Sequence, residues 1–93
     1  MIKSFGNKET KKVFEGKFSK KIPPELQRKL LIKLMYMNRA NNLEDLRMPP
    51  SNHLEKMIGD KNENYSIRIN NQYRVIFSYI NNDFYDVEFI DYH

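Results

Sequence analysis

Residues 65–69 and 73–79 alternate apolar and polar side chains, which is the pattern of strands with one buried face. The three residues 70–72 between them set how the two strands pair. A three-residue loop keeps both apolar sets on one face, whereas a two-residue loop would mix the faces. The pattern therefore predicts an antiparallel hairpin in which Arg68 stands opposite Arg74. Two arginines on one face repel each other, and an anion between them would relieve that repulsion.

Two helices are predicted in the first half of the chain. Asn7 is a suitable N-cap for a helix over Lys8–Glu15, which Gly16 can end in a left-handed conformation. Pro23-Pro24 opens a longer helix that runs to about Asn38, because proline is tolerated in a first turn. The apolar side chains of this helix recur at helical spacing and are predicted to pack against a sheet; they are Leu26, Leu30, Leu31, Leu34, Met35 and Met37.

The remaining segments complete a prediction of fold class. Ile2–Phe5 has the pattern of a short strand, Asn81-Asn82-Asp83 that of a turn, and Phe84–Ile90 that of a last strand. The connector 39–53 contains one predicted helical turn, Leu43–Leu46, before Pro49-Pro50 stops it. We expect an α+β fold in which two N-terminal helices pack on an antiparallel meander sheet of four or five strands. One face of the sheet would remain partly open and carry the arginines.

Composition limits the class of protein. Residues 1–93 make one domain, of which 40% of the residues are hydrophobic and 30% charged, as in an ordinary globular chain. Residues 1–56 hold 13 basic and 6 acidic side chains, whereas residues 57–93 hold 3 and 6. A basic front half favours a polyanion as partner, although a solvated lysine-rich surface is the simpler reading for Lys8, Lys11 and Lys12. No apolar run predicts a membrane span, and the chain is expected in the cytoplasm.

Motifs for metal and cofactor chemistry fail on spacing. A calcium loop starting at Asp60 would need glycine where Tyr65 stands. The chain has no cysteine, and its two histidines, His53 and His93, lack metal-ligand spacing to other ligands. No glycine-rich phosphate loop or serine nucleophile elbow is present. We therefore predict a site without metal or cofactor.

The residues that remain combine phosphate binding with proton transfer. Arginine holds phosphate, a tyrosine ring stacks on a base, and histidine changes charge near neutral pH. An alternative for a histidine at position 93 is that it has no role, since chain ends are often disordered. The candidate site residues are Arg68, Arg74, Tyr92 and His93, with Lys56 and His53 as weaker additions.

Several motifs together resemble the HigB-type killer toxins of bacterial toxin–antitoxin modules, within the RelE-like superfamily. They are Asn52-His53-Leu54-Glu55, Gly59-Asp60, Tyr65-Ser66-Ile67-Arg68-Ile69-Asn70, Gln72-Tyr73-Arg74-Val75, Tyr85-Asp86-Val87 and Asp91-Tyr92-His93, with Met1-Ile2-Lys3-Ser4-Phe5 and Lys11-Lys12-Val13-Phe14-Glu15 at the front. The resemblance covers nearly the whole chain. Two positions depart from the family: Ile58 stands where many members have lysine, and Glu55 where one branch has histidine.

The resemblance implies a ribosome-dependent endoribonuclease, an mRNA interferase, with the fold predicted above. Arg74 would be the phosphate-contacting arginine, and Tyr92 and His93 the terminal catalytic pair. It also implies a helix-turn-helix antitoxin of the HigA type that neutralises the toxin, so that operator DNA would be bound only through the toxin–antitoxin complex. The ribosome and mRNA would be the other partners.

The implied chemistry needs no metal, because RNA carries its own nucleophile, the 2′-hydroxyl. An enzyme must remove its proton, stabilise the added negative charge on phosphorus and protonate the leaving 5′-oxygen. Two other classes stay open at this point. One is a toxin of the same fold that binds a topoisomerase, and the other is an RNA- or ribosome-binding module without catalysis.

Overall fold

The computed structural model describes residues 1–57 and 64–92. Ile58 and the Gly59-Asp60 motif lie outside this part of the chain, as does His93. In chain order the elements are α1 Lys8–Phe14, α2 Pro24–Arg39, two 3-10 turns at Leu43–Arg47 and Pro50–Asn52, and strands β1 Glu55–Lys56, β2 Asn64–Arg68, β3 Tyr73–Ile80 and β4 Asp83–Asp91.

Both helices begin and end close to where the sequence predicts. The Asn7 side chain accepts a hydrogen bond from the Thr10 amide at 2.9 Å, and Gly16 follows α1 with φ +81°. Such a positive φ is strained for residues with a Cβ, which explains glycine at this position. Pro24 is the first residue of α2.

The apolar stripe of α2 is narrower than its sequence indicates. Leu30, Leu34 and Met37 are fully buried, whereas Met35 is 44% exposed. The expectation of a core role for Met35 is therefore wrong, because its direction on the helix, about 140° from Leu30, points away from the sheet.

The strands form one antiparallel sheet in the order β1-β2-β3-β4. The β2–β3 register pairs Ile67 with Val75 and Arg68 with Arg74, which confirms the predicted three-residue loop. The turn between β3 and β4 differs from its prediction, since Asp83 belongs to the strand and pairs with Ile80. Asn81 and Asn82 both have positive φ, 51° and 67°, as a two-residue type I′ hairpin turn requires.

The first residues of the chain run parallel to β4 through bridges from Ile2 to Phe84 and from Phe5 to Val87. Between those bridges β4 carries an extra residue, and Asp86 has φ 53°. The Ser4 hydroxyl accepts a hydrogen bond from the Asp86 amide at 2.8 Å. The predicted strand at the N-terminus is therefore a pair of bridges on either side of a β-bulge.

Buried side chains from both helices and from one face of the sheet form a single hydrophobic cluster; its members are Val13, Ile22, Leu30, Leu34, Met37, Leu46, Ile67, Ile69, Val75, Phe77, Phe84 and Val87. Thr10 links α1 to β4, because its hydroxyl accepts the Phe89 amide at 3.0 Å. The architecture is the predicted α+β arrangement, with four strands in the described residues. No helix in residues 1–57 or 64–92 is long and apolar enough to cross a membrane.

Candidate functional site

The candidate site lies on the sheet face opposite the hydrophobic cluster. The register aligns Glu55 with Ser66 across β1 and β2, and Arg74 with Ile90 across β3 and β4. Because side chains alternate along a strand, Tyr92 continues the face of Ile90. Residues from the start of β1, the middle of β2, the start of β3 and the end of β4 therefore meet at one place.

Arg74 lies at the centre of this candidate site. Its side chain is 9% exposed, and it donates hydrogen bonds from Nε to Ser66 Oγ at 2.9 Å and from Nη2 to the His53 carbonyl at 2.6 Å. The Glu55 carboxylate lies 4.0 Å from Nη2 and is 55% exposed. Within the described residues Nη1 has no hydrogen-bond acceptor. The guanidinium is thus held in a fixed plane by Ser66 and His53.

Tyr92 lies against this guanidinium, so the structure brings together two of the candidate site residues. The Arg74 Cζ atom is 5.4 Å from the centre of the Tyr92 ring. The Tyr92 amide donates to the Gln72 carbonyl at 2.7 Å, which fixes the end of β4. At this distance the Tyr92 ring stabilises the Arg74 cation. Tyr92 itself is 48% exposed, so its ring is accessible for a ligand to stack on.

Arg68 stands opposite Arg74 in the register, but its guanidinium has a partner of its own. Its Nη2 donates to the Asn71 side-chain oxygen in the β2–β3 loop. Arg74 is compensated by the groups described above. The two long side chains therefore point to different partners. The structure does not need the expected anion between the two arginines, because each guanidinium is held by hydrogen bonds of its own.

The weaker candidates are placed differently from each other. His53 contributes its backbone carbonyl to Arg74, while its φ of 43° belongs to the left-handed region and its side chain is exposed. Lys56 aligns with Tyr65, so it points to the face opposite Glu55 and Arg74. His93 lies outside the described residues, and its role stays a prediction.

Ser66 and Glu55 are contacts of Arg74 that the sequence does not mark as site residues. The period of two does place Ser66 on the arginine face, and this signal is present in the sequence. Glu55 is the position where one branch of the resembling family has histidine, but its contact with Arg74 depends on the register of β1. Among the described residues, no group of three or more His, Cys, Asp or Glu side chains is arranged to hold a metal ion.

The open face changes charge along its length. Beyond Ile76 it leads to a cavity of about 210 Å³ whose lining includes Ser78, Asp86 and Glu88. The acidic end would repel a polyanion, so an anionic ligand is favoured at the Arg74 end.

Comparison with known proteins assigns the family. Residues 3–93 match the model of a family described as the RelE-like toxin of the type II toxin–antitoxin system HigB. An uncharacterized protein of Haemophilus influenzae is 46% identical over 68 residues, 73% of this chain and 67% of that protein. Toxin HigB-1 of Vibrio cholerae is 39% identical over 59 residues, covering 63% of this chain and 62% of the toxin. Endoribonuclease HigB of Proteus vulgaris is 29% identical, with all of both chains covered. Because this match spans nearly the whole chain, the chain belongs to the HigB-like, RelE-like toxins of type II toxin–antitoxin systems.

Proposed function

We propose that this toxin is an endoribonuclease that cuts mRNA on the translating ribosome without a metal ion. The observation that carries the proposal is the fixed Arg74 guanidinium, which lies against Tyr92. Among residues 1–57 and 64–92 its Nη1 has no acceptor, and a phosphate oxygen would take that place. Donors oriented before the reaction stabilise developing charge without reorganisation. The name of the Proteus vulgaris relative, Endoribonuclease HigB, supports the same reaction class.

The proposed reaction is attack of the RNA 2′-hydroxyl on the adjacent phosphorus. Glu55 takes the hydroxyl proton, Arg74 stabilises the negative charge on the non-bridging oxygens, and His93 protonates the departing 5′-oxygen. The products are a 2′,3′-cyclic phosphate and a 5′-hydroxyl. Glu55 receives this role because its carboxylate is in contact with Arg74. Tyr92 stacks on a base beside the bond that breaks.

The ribosome supplies what this sparse site lacks. The reaction needs the 2′-oxygen, phosphorus and 5′-oxygen in line, and holding reactants in such a geometry contributes several kcal/mol. Glu55, Arg74 and Tyr92 on an open sheet face would leave most of the RNA backbone without a contact. We therefore propose that mRNA held in the decoding site is the substrate, and that the toxin acts in the cytoplasm.

A translation reaction with mapping of RNA 5′ ends tests this function. A test mRNA should be cut within its reading frame only when ribosomes translate it, and the fragments should carry 5′-hydroxyl ends. Equal cutting of naked mRNA would remove the ribosome from the proposal. Growth arrest with intact mRNA would instead favour a toxin that binds a topoisomerase or blocks the ribosome.

We also propose a helix-turn-helix antitoxin, of the HigA type, as the partner that neutralises this toxin. Membership of a type II system supports a protein antitoxin. Operator DNA would then be bound by the antitoxin within the complex. Purification of the co-expressed pair followed by an operator-binding assay tests this, and operator binding by the toxin alone would contradict it.

His93 gives the first specific prediction. Changing His93 to Gln should lower the rate of cleavage by roughly a hundredfold or more, the usual scale for removing a proton-transfer group. The melting temperature should not change. Single-turnover cleavage on programmed ribosomes measures the rate. A variant that cuts at the wild-type rate would show that His93 has no role in cleavage.

A further inference from the structure

A second basic feature lies between α2 and the β2–β3 loop, outside the ring of groups that hold Arg74. It is a cleft of about 340 Å³ lined by Lys29, Lys33, Ser51, Arg68, Ile69, Asn70 and Asn71. Three of these side chains are cationic and none is acidic. The cleft therefore combines a defined cavity with a single sign of charge.

The fold fixes two of the cations in place. Lys33 donates to the side-chain oxygen of Asn52, which is fully buried and donates in turn to the Leu46 and Met48 carbonyls at 3.1 and 3.2 Å. Arg68 is held by Asn71, as described above. Each cation keeps further N–H donors that these bonds do not use.

Lys29 is the third cation of the cleft and lies on α2 one turn before Lys33. Residues four apart lie on the same side of a helix, so the two ammonium groups approach the cleft together. Both flank the buried stripe of α2 that contains Leu30 and Leu34. The arrangement follows from the helix packing and needs no ligand to form.

In the described part of the chain, no carboxylate neutralises the charges in the cleft. Within residues 1–57 and 64–92, neither lysine nor Arg68 has a carboxylate partner, whereas the exposed Arg47 and Lys12 are paired with Glu44 and Glu9. The pKa of Lys33 is lowered from its usual value of 10.5, mainly by burial and then by the charge of Lys29. An anion in the cleft would offset both effects.

We propose that Lys29, Lys33 and Arg68 form a phosphate-binding site that holds an RNA backbone phosphate away from the bond being cut. The RNA identity of the ligand rests on the function proposed above, whereas the anion site itself rests on the cleft alone. Lysine supplies charge and arginine a planar fork, and both suit a phosphodiester. The site would position the strand whose scissile phosphate reaches Arg74.

The test measures binding rather than cleavage, so that it does not depend on the nuclease function. The probe is a single-stranded RNA oligonucleotide with 2′-deoxy substitutions, which has no nucleophile and cannot be cut. Changing Lys29 and Lys33 to Gln together should weaken binding by roughly tenfold, given the usual strength of hydrogen bonds to charged groups. The slope of log K against log salt should fall by about 0.7 for each phosphate that the variant no longer neutralises.

The matched control changes Lys8 and Lys11 to Gln, which removes the same charge from exposed positions on α1. This control should bind nearly as well as the wild type. If both variants lose affinity equally, net charge alone attracts RNA, and an unchanged affinity in the cleft variant would also overturn the site. Lys29→Gln alone, at an exposed residue without a hydrogen bond to the loop, keeps the test valid if the double variant is unstable.

Cleavage assays separate the two proposals. If the cleft variant binds RNA more weakly while neither it nor the wild-type protein cuts translated mRNA, the phosphate site stands and the nuclease function fails. If His93→Gln abolishes cleavage and the cleft variant binds RNA normally, the reverse holds.

Discussion

Arg74 stabilises the fold, and the proposed function gives the same guanidinium a second role in binding a phosphate. Its hydrogen bonds satisfy Ser66 Oγ and the His53 carbonyl. Removal of the side chain leaves these acceptors without their donor, which costs about 1–3 kcal/mol for each buried group left unpaired. Loss of toxicity in Arg74→Ala would therefore mix a folding defect with a chemical one.

The informative change at this position is Arg74→Lys. It keeps the charge but loses the planar fork, so we expect cleavage to fall by about a hundredfold or more. Its free energy of unfolding should stay closer to that of the wild type than that of Arg74→Ala. Chemical denaturation and single-turnover cleavage measure the two effects, with Arg47→Lys as the control, at an exposed arginine that pairs with Glu44 outside both proposed sites. Wild-type cleavage by Arg74→Lys would mean that charge alone is needed there.

Glu9 gives a prediction about pH. The buried Ser19 hydroxyl donates to its carboxylate at 2.6 Å, and this bond, with Lys12 and Lys21 adding to it, lowers the Glu9 pKa from 4.5 against the opposing effect of burial. A depressed pKa in the folded state stabilises the protein above the unfolded-state value, and this contribution is lost as pH falls through the folded-state pKa.

Ser19→Ala should accordingly raise the Glu9 pKa. Its destabilisation should be larger at pH 7 than well below the usual pKa of 4.5, where Glu9 is protonated in both states. Denaturant unfolding at a neutral and an acidic pH and NMR titration of Glu9 measure this. A destabilisation that is the same at both values would show that the hydroxyl acts through packing alone.

At the scale of elements, the two glycines next to α1 are required for different reasons. A Cβ built on Gly6 would lie 2.9 Å from Glu88 Cβ and 3.0 Å from the Asp86 carbonyl oxygen. A Cβ on Gly16 meets nothing within 4 Å, but the backbone there has φ +81°. Close approach of two chain segments excludes a side chain at the first glycine, and left-handed backbone disfavours one at the second.

Gly6→Ala should destabilise the protein by about 1–3 kcal/mol, as overpacking usually does. Asparagine separates the two causes, since it tolerates left-handed backbone. Gly16→Asn should be milder than Gly16→Ala, whereas Gly6→Asn should be at least as harmful as Gly6→Ala. Thermal unfolding of the four variants checks the prediction, and the opposite order at position 16 would contradict it.

The elements that sequence predicts well are those fixed by local rules. Helix caps depend on neighbouring residues, and the β2–β3 register depends on the alternation of apolar and polar side chains along the strands. Both predictions are confirmed. The turn after β3 is predicted one residue too long, because Asn81 and Asn82 together adopt a two-residue geometry that Asp83 does not enter. At the site, the sequence indicates which side chains share a face. It does not indicate that Arg68 turns to Asn71, or that His53 acts through its carbonyl, because such partners depend on how distant segments pack.

At the scale of the whole molecule, basic and acidic side chains are concentrated in different regions. Basic groups gather in the cleft between α2 and the β2–β3 loop, and acidic groups line the cavity where β4 bulges at Asp86. The RNA ligand proposed above would therefore be favoured at the first region and disfavoured at the second.

The bridges from Ile2 to Phe84 and from Phe5 to Val87 tie residues that are synthesised early to residues that are synthesised much later. Contacts of such sequence separation cannot form on a nascent chain until β4 exists. Tyr92, which covers Arg74, is added later still. The contacts around Arg74 are therefore expected to be complete only after β4 and Tyr92 have been synthesised and have folded onto the rest of the sheet.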